Sequence, residues 1–116
     1  MTTESLREYC LSLRSVTESF PFDDDALVFK VMNRMFALTS LEEKTLNLKC
    51  DPEKAITLRE QYPSVTPGYH MNKKYWNTVV IDGRIPSREI LRMIDHSYEQ
   101  VVKGLPHSLR KKLEAT

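Results

Sequence analysis

Residues 26–50 read ALVFKVMNRMFALTSLEEKTLNLKC, and this stretch decides the fold. Runs rich in β-branched and aromatic residues occupy 27–31, 35–39 and 45–50, with polar turns at 33–34 and 42–44. In the third run Leu46, Leu48 and Cys50 alternate with polar residues. Because successive side chains of a strand point to opposite faces, the apolar set faces a core and the polar set faces water. The stretch therefore predicts an antiparallel meander with one exposed face.

The flanking segments predict helices and further strands. Leu6, Cys10 and Leu13 recur at helical spacing after Thr3, which predicts a capped helix over 3–14. Residues 15–25 break that period and read as a connector carrying Phe20-Pro21-Phe22. The remaining predicted elements are a helix from Asp51-Pro52 to Tyr62, one or two strands at 68–71 and 76–81, a long helix from Pro86 through Leu105 and a short helix from Pro106 to Leu113.

This order of elements predicts an α+β fold. A parallel sheet would require a repeated strand-helix-strand alternation, and the predicted elements do not show one. We expect an antiparallel sheet of four to five strands with helices packed on one face. A chain of 116 residues fits one domain over 1–116.

Composition narrows the class of protein further. The chain has 17 Lys+Arg and 16 Asp+Glu, which excludes a strongly basic or acidic protein. Its two cysteines, Cys10 and Cys50, lie 40 positions apart and match neither a redox motif nor a four-ligand zinc site, so we expect buried, reduced thiols. No apolar run approaches a membrane span and the start lacks a signal-peptide pattern, which predicts a cytoplasmic protein without membrane contact.

Signatures of catalysis are not visible in the sequence. The three histidines, His70, His96 and His107, fall in different predicted elements, without an HExxH or nucleophile-elbow pattern. Three glycines in total cannot form a phosphate loop or a dinucleotide fingerprint. We therefore expect no enzyme, no catalytic residue and no cofactor.

Asp23-Asp24-Asp25 is the densest group of carboxylates. Several carboxylate oxygens are what a hard cation requires, but the spacing of an EF-hand loop is missing. A solvated acidic turn entering the first strand of the meander is the alternative that we favour, and no metal site is predicted.

Positive charge is concentrated after the first 25 residues. Residues 1–25 hold two Lys/Arg and six Asp/Glu, a net −4, so residues 26–116 carry +5. Lys30 and Lys49 fall on outward strand positions, Arg34 lies at a hairpin, and Lys73-Lys74 precede Tyr75 and Trp76. Such a mixture suits phosphate contacts and stacking on bases or sugars. The alternative is that the lysines only keep strand edges soluble while Trp76 anchors the core.

The segment PGYHMNKKYWN at residues 67–77 closely resembles the signature of the bacterial MmcQ/YjbR family. Further blocks agree in order: Phe20-Pro21-Phe22, Val28-Phe29-Lys30-Val31, Met35-Phe36-Ala37-Leu38, Leu48 to Glu53, Asp82-Gly83 and Ile94 to Tyr98. The resemblance covers nearly the whole chain. Departures are Asp23, where relatives often have Gly, and Asn33-Arg34 in place of a Gly-containing hairpin, although Asn tolerates positive φ.

The resemblance implies a CyaY-like α+β fold and a DNA-binding protein with a double-wing arrangement of strands and hairpins. Together with the charge distribution, it predicts a non-enzymatic protein whose partner is double-stranded DNA. The predicted nucleic-acid-binding residues are Lys30, Arg34, Lys49, His70, Asn72, Lys73, Lys74, Trp76 and Asn77.

Two alternatives remain open at this point. The first is a small-ligand or protein-interaction module whose pocket is built from the aromatic and amide residues of the 67–77 segment, Tyr69, His70, Asn72, Trp76 and Asn77. The second comes from the frataxin-like relatives of the implied fold, in which an acidic ridge binds iron. Here its candidates are Glu18, Asp23, Asp24 and Asp25.

Overall fold

The structure is a computed structural model that describes residues 1–21, 23–69 and 71–116. Its strands are β1 (Val16–Ser19), β2 (Ala26–Val31), β3 (Arg34–Ser40), β4 (Thr45–Lys49), β5 (Val65–Pro67) and β6 (Trp76–Val80). Its helices are α1 (Thr3–Ser12), α2 (Pro52–Gln61), α3 (Ser87–Lys103) and α4 (His107–Glu114). The predicted α+β class is confirmed.

One antiparallel sheet carries the fold, with the strand order β1-β2-β3-β4-β6-β5. Paired residues share a face, so the register divides the sheet into two surfaces. The helix face contains Phe29, Ala37, Leu48 and Asn77, which lie in one row across β2, β3, β4 and β6. The open face contains the parallel row Val28, Leu38, Asn47, Thr78 and Thr66, the last of these on β5.

The core lies between the helix face and the helices. Ile90 and Ile94 of α3 are buried in one cluster with the apolar residues of β2, β3, β4 and β6. Ser97 joins α3 to the sheet without leaving a polar atom unsatisfied, because its hydroxyl donates to the Phe36 carbonyl at 2.5 Å and accepts from the Lys49 amide at 2.8 Å. Such a satisfied polar contact fixes the helix relative to the strands.

The two ends of the sheet differ in charge. At the hairpin end, residues 31–34 join β2 to β3, β4 finishes at Lys49, and β6 begins at Trp76. At the acidic end, residues 23–26 enter β2 and residues 40–45 join β3 to β4. The acidic end holds Asp23, Asp24, Asp25, Glu42 and Glu43 against a single Lys44.

The sheet has six strands, so the prediction of four to five was low. The first missed strand, β1, lies in the predicted connector and pairs with β2 at the sheet edge. The other error concerns residues 68–71: the strand before β6 is Val65–Pro67, and Gly68, Tyr69 and Met71 lie outside it. The turn of the β2–β3 hairpin is also one residue earlier than predicted, with Met32 and Asn33 at φ 48° and 67° and Arg34 already in β3.

Both cysteines are free and buried, as predicted. Burial raises the pKa of Cys10 to about 12 and that of Cys50 to about 11, so both thiols stay protonated at neutral pH. No helix within the described part of the chain combines the length and the apolar character needed to cross a bilayer.

Candidate nucleic-acid interface

Two of the predicted lysines share the open face with Trp76 at the hairpin end. Lys30 is paired with Met35, and Lys49 is paired directly with Trp76. Because β2, β3, β4 and β6 are neighbours at about 4.8 Å spacing, Lys30 and Trp76 lie about 14 Å apart across the sheet. Trp76 is partly buried, and it borders a shallow hollow of about 300 Å³ together with Lys49 and Asn72.

The 68–75 loop supplies the other lysines at the same end. Lys73 donates from Nζ to the Gly68 carbonyl at 3.1 Å, and the Lys74 ammonium lies 5.5 Å from the centroid of the Tyr75 ring. Asn72 shapes the loop, because its Oδ1 accepts from the Lys74 amide at 2.9 Å. The loop thus presents Lys74 and Tyr75 while Lys73 and Asn72 make contacts within it.

Arg34 is the exception among the predicted cations. It is paired with Val31, whose side chain belongs to the core, so the register assigns Arg34 to the helix face at the tip of the hairpin. The five cations therefore gather at one end of the sheet, but Arg34 projects from the other side of it.

None of these five cations forms an ion pair with the residues that the structure describes. The ion pairs found there are Arg7–Glu18, Arg84–Asp82, Arg88–Glu89 and Arg92–Glu89. The positive charge at the hairpin end consequently has no ion-pair partner among these residues, whereas Asp23, Asp24, Asp25, Glu42 and Glu43 lie at the opposite end of the sheet.

Asn77 does not belong to this surface. It lies on the helix face and is only 2 % exposed. Its Oδ1 accepts from Arg59 Nε at 2.7 Å, and its Nδ2 donates to the Ala55 carbonyl at 3.4 Å. A side chain held this way cannot contact a base or a phosphate, so the prediction of a direct contact by Asn77 does not fit the described conformation. His70 lies outside the described residues.

Arg59 of α2, which the sequence did not single out, contacts the candidate site through hydrogen bonds. Besides Asn77, its guanidinium donates to the carbonyls of Lys73 and Trp76, and thereby clamps both ends of the 73–76 segment to α2. Residue 59 follows Leu58 on the half-buried side of an otherwise exposed helix. The position of Arg59 next to the half-buried Leu58 was the one sequence feature that could have pointed to it. Its hydrogen-bond partners are 14 or more residues away in sequence, so no local pattern connects them.

A groove of about 790 Å³ runs along the open face toward the acidic end. Its floor is formed by side chains of β3, β4 and β6, including Met35, Leu38 and Asn47. Tyr69 and Met71 line it on one side. Asp25 and Glu43 close its far end. Its volume is within the range of small-molecule sites.

A chain of hydrogen bonds holds the wall to the floor. The Tyr69 amide donates to Thr78 Oγ1 at 3.0 Å, and Thr78 Oγ1 donates to Asn47 Oδ1 at 2.5 Å. Thr78 and Asn47 are 8 % and 7 % exposed although they lie on the open face. The Oδ1 of Asn47 is thus occupied, while its Nδ2 has no hydrogen-bond partner among the described residues.

The carboxylates at the acidic end are engaged in turn formation. Asp25 accepts from the Ser40 hydroxyl and the Glu42 amide at 2.7 Å each, and these hydrogen bonds lower the pKa of Asp25. Asp23 Oδ1 accepts two backbone amides at 2.8 Å. Glu18, a candidate iron ligand, is paired with Arg7. Within the described residues, no three His, Cys, Asp or Glu side chains come together as a metal site.

Comparison with known proteins identifies the family. The YjbR family model matches residues 11–100. The chain belongs to the YjbR family. It is 37 % identical over 115 residues to uncharacterized protein YjbR of Escherichia coli (strain K12), which covers 97 % of this chain and 98 % of that protein. It is 35 % identical over 112 residues to uncharacterized protein YbdF of Escherichia coli O157:H7, covering 95 % and 92 % of the two chains.

Solved structures of similar proteins share the architecture of this YjbR-family chain. A crystal structure of the Deinococcus radiodurans protein DR2400, with domain DUF419, superimposes with a TM-score of 0.91 at 43 % identity, over 97 % of this chain and 88 % of that one. A Pseudomonas syringae protein has a TM-score of 0.74 at 26 % identity, over 86 % and 98 %. The sheet and helices described above are therefore a shared family fold.

Proposed function

We propose that this YjbR-family protein is a DNA-binding protein, not an enzyme, and that it takes DNA on the hairpin end of its open sheet face. The observation that carries the proposal is that Lys49 is paired with Trp76 and Lys30 lies on the same face about 14 Å away, with Lys74 on the adjoining loop. None of these lysines has a short-range carboxylate partner among the described residues.

The spacing of these groups suits a phosphate backbone. Lys30 and Trp76 are separated by three strand intervals, about 14 Å, and duplex DNA rises about 3.4 Å per phosphate along each strand. Several consecutive phosphates can therefore lie along the row of cations. Trp76 and Tyr75 add aromatic surface at the same end, which suits stacking on bases or sugars. The acidic end of the sheet repels the backbone and gives the bound DNA a preferred side.

The test is fluorescence anisotropy of a labelled duplex titrated at several salt concentrations. Binding through phosphate contacts requires that affinity falls between about 50 and 200 mM salt, with a log-log slope of about −0.9 per phosphate. The double variant Lys30→Gln, Lys49→Gln is expected to bind more weakly and to lower the slope by about 1.8.

Lys44→Gln is the matched control, because Lys44 is an exposed lysine of the turn between β3 and β4, at the acidic end of the sheet. It removes one positive charge without touching the proposed surface, so affinity and slope are expected to stay near those of the unmodified protein. Equal losses in Lys44→Gln and in either single variant, Lys30→Gln or Lys49→Gln, would attribute binding to overall charge and contradict the proposed surface. Absence of binding at low salt would refute the function itself.

A second candidate function is small-ligand binding, favoured by the groove of about 790 Å³ on the open face. Its mixture of apolar floor and a few polar groups is typical of ligand sites. Thermal-shift screening with metabolites separates the two functions: stabilisation by a small molecule without any binding of DNA selects the second.

A further inference from the structure

The shallow hollow at the hairpin end is a second concave site, distinct from the groove on the open face. It lies where β4 ends and where β6 and α2 begin, and the C-terminal half of α3 borders it. Its described lining residues are Lys49, Pro52, Asn72, Tyr75, Trp76 and Gln100. Its volume of about 300 Å³ is at the lower end of the range of small-molecule sites, so it suits a single ring system.

Side chains of α3 fasten the helix to the junction of β4 and α2, where the hollow lies. His96 Nε2 accepts from the Asp51 amide at 3.1 Å, and Ser97 Oγ accepts from the Lys49 amide at 2.8 Å. Gln100 follows these two residues by four and three positions, so it lies on the same side of α3, one turn further on. The same contacts that hold α3 to this junction therefore position Gln100 in the lining of the hollow.

The amide side chains of the hollow are available to a ligand. The side chain of Gln100 makes no hydrogen bond with the described residues, and Asn72 uses only its Oδ1, which accepts from the Lys74 amide. Gln100 thus offers both a donor and an acceptor, and Asn72 Nδ2 offers donors. Such amides are suited to the hydrogen-bonding edge of a nucleic-acid base.

The other lining residues suit an aromatic ring that is joined to an anion. Tyr75 and Trp76 supply aromatic surface on which a base can stack. Lys49 is directly paired with Trp76, so a positive charge lies beside the indole. No acidic side chain occurs among the described lining residues, so the lining itself does not repel a phosphate. A ring with a polar edge and an attached phosphate is the chemistry of a nucleotide.

We infer, resting on the DNA-binding function above, that this hollow receives one unpaired base of the bound DNA. The base stacks on the aromatic side chains, its edge pairs with the Gln100 amide, and its phosphate lies on Lys49. A base inside an intact duplex cannot enter, because its faces are stacked and its pairing edge is used. An unpaired base costs less to turn out of the helix, so DNA that carries one should bind more tightly than fully paired DNA.

The experiment compares three labelled duplexes of one length by fluorescence anisotropy at low salt. The first is fully paired, the second carries one unpaired adenine at its centre, and the third carries an abasic residue at that position. We expect the duplex with the unpaired adenine to bind about tenfold more tightly than the other two, a factor that one stacked base can contribute. The abasic duplex is the matched control, because it has the same additional phosphate without a base. This measurement uses the unmodified protein.

The fluorescence of Trp76 provides a second readout, because Trp76 is the only tryptophan of the chain. A base in contact with an indole quenches its emission. At saturating concentrations, the duplex with the unpaired adenine should therefore quench Trp76 more strongly than the abasic duplex does. Equal quenching by the two duplexes would contradict the placement of the base in the hollow.

Gln100→Met tests the amide. Methionine retains an unbranched side chain of similar length but removes the donor and the acceptor. Affinity for the duplex with the unpaired adenine should fall about fivefold, as expected for one hydrogen bond, while affinity for the abasic duplex stays unchanged. Gln61→Met is the matched control, because Gln61 is exposed at the end of α2 and lies outside the hollow. It should change neither affinity, and equal losses in both variants would contradict the role of Gln100.

Two binding results would overturn the inference and leave the DNA-binding function standing. Equal affinity for all three duplexes, with the salt dependence of phosphate contacts, would remove the base site. Equal affinity for the unpaired-adenine and abasic duplexes, both above that for the paired duplex, would show that the protein recognises an interrupted helix and not a base. Failure of every duplex to bind at low salt would instead refute the DNA-binding function.

Discussion

Arg59→Met is the substitution whose effect can be worked out most fully from the structure. Methionine retains an unbranched, largely apolar stem but removes every donor of the guanidinium. The change deprives Asn77 Oδ1 of its 2.7 Å partner and the carbonyls of Lys73 and Trp76 of theirs. Since these bonds fasten the 73–76 segment to α2, both the stability of the domain and the position of the lysine loop depend on them.

The magnitude follows from the burial of the acceptors. Asn77 is 2 % exposed, so its Oδ1 cannot gain water in place of Arg59, and an unsatisfied buried acceptor costs about 1–3 kcal/mol. The carbonyls of Lys73 and Trp76 belong to exposed and partly exposed residues, and water replaces part of the loss there. We expect a decrease of about 2–3 kcal/mol in the free energy of unfolding, and a Tm lowered by about 10 °C for a chain of this size.

Urea denaturation of the single variants Arg59→Met and Asn77→Leu and of their double variant provides the assay. Because Asn77→Leu removes the orphaned acceptor, the two changes should be less than additive, with a coupling of about 1 kcal/mol or more. Arg88→Met is the control: Arg88 is 81 % exposed and its ion pair with Glu89 is at 3.8 Å, so its effect should stay within about 0.5 kcal/mol. An equally small effect of Arg59→Met, or strict additivity of Arg59→Met and Asn77→Leu, would refute the stabilising role of the Arg59 hydrogen bonds.

Three further outcomes are expected. A Cβ at Gly68 would lie 2.8 Å from the Cβ of Trp76, so Gly68→Ala should destabilise the domain by about 1–3 kcal/mol in thermal melts. Gly104→Ala is the control and should not destabilise it, because no heavy atom lies closer than 3.5 Å to a Cβ built at Gly104. Equal effects of the two variants would contradict the close approach of Gly68 to Trp76. Burial lowers the pKa of His96 below its usual 6.5, so the unfolded chain binds the proton more readily and stability should be lost as pH falls from 6.5 through the folded pKa. His96→Gln should flatten this pH dependence in denaturation curves, and an unchanged slope would assign it to another group. Both buried thiols should resist iodoacetamide at about pH 8 until urea unfolds the chain, and mass spectrometry measures the modification. Their burial would be contradicted if the native protein were modified as fast as the urea-unfolded protein.

Most of the architecture could be predicted because its signals are local. The alternation at 45–50 and the Asp51-Pro52 helix start each operate over a few residues, and the structure retains both. By contrast, β1 consists of Val16-Thr17-Glu18-Ser19, a mostly polar stretch of four residues that is too short to indicate a strand by itself. It forms a strand because β2 offers an unpaired edge and because Glu18 reaches Arg7 of α1. Both causes are tertiary, and no window of sequence contains them.

The two strand asparagines illustrate the same limit at the candidate site. Asn77 was predicted to bind nucleic acid because it ends a distinctive polar-aromatic segment, yet it faces the helices and its Oδ1 accepts a hydrogen bond from Arg59. Alternation placed Asn47 on the open face, but the prediction that it faces water was wrong, because Asn47 is only 7 % exposed. Nothing in the sequence indicated that Tyr69 and Met71 would line a groove with it. Only the hydrogen bond from Tyr69 to Thr78 makes Asn47 the floor of a groove.

The distinctive composition of the 67–77 segment can then be explained by what its described residues do within the domain. The Gly68 amide donates to the Trp76 carbonyl at 2.8 Å, Lys73 donates back to the Gly68 carbonyl, and Asn72 holds the backbone of Lys74. Most polar groups described in this segment therefore maintain the loop. Under the proposed DNA-binding function, the residues that the loop presents to DNA are Lys74 and Tyr75. Substitutions in the loop should then alter binding together with stability, whereas Lys30→Gln should alter binding alone.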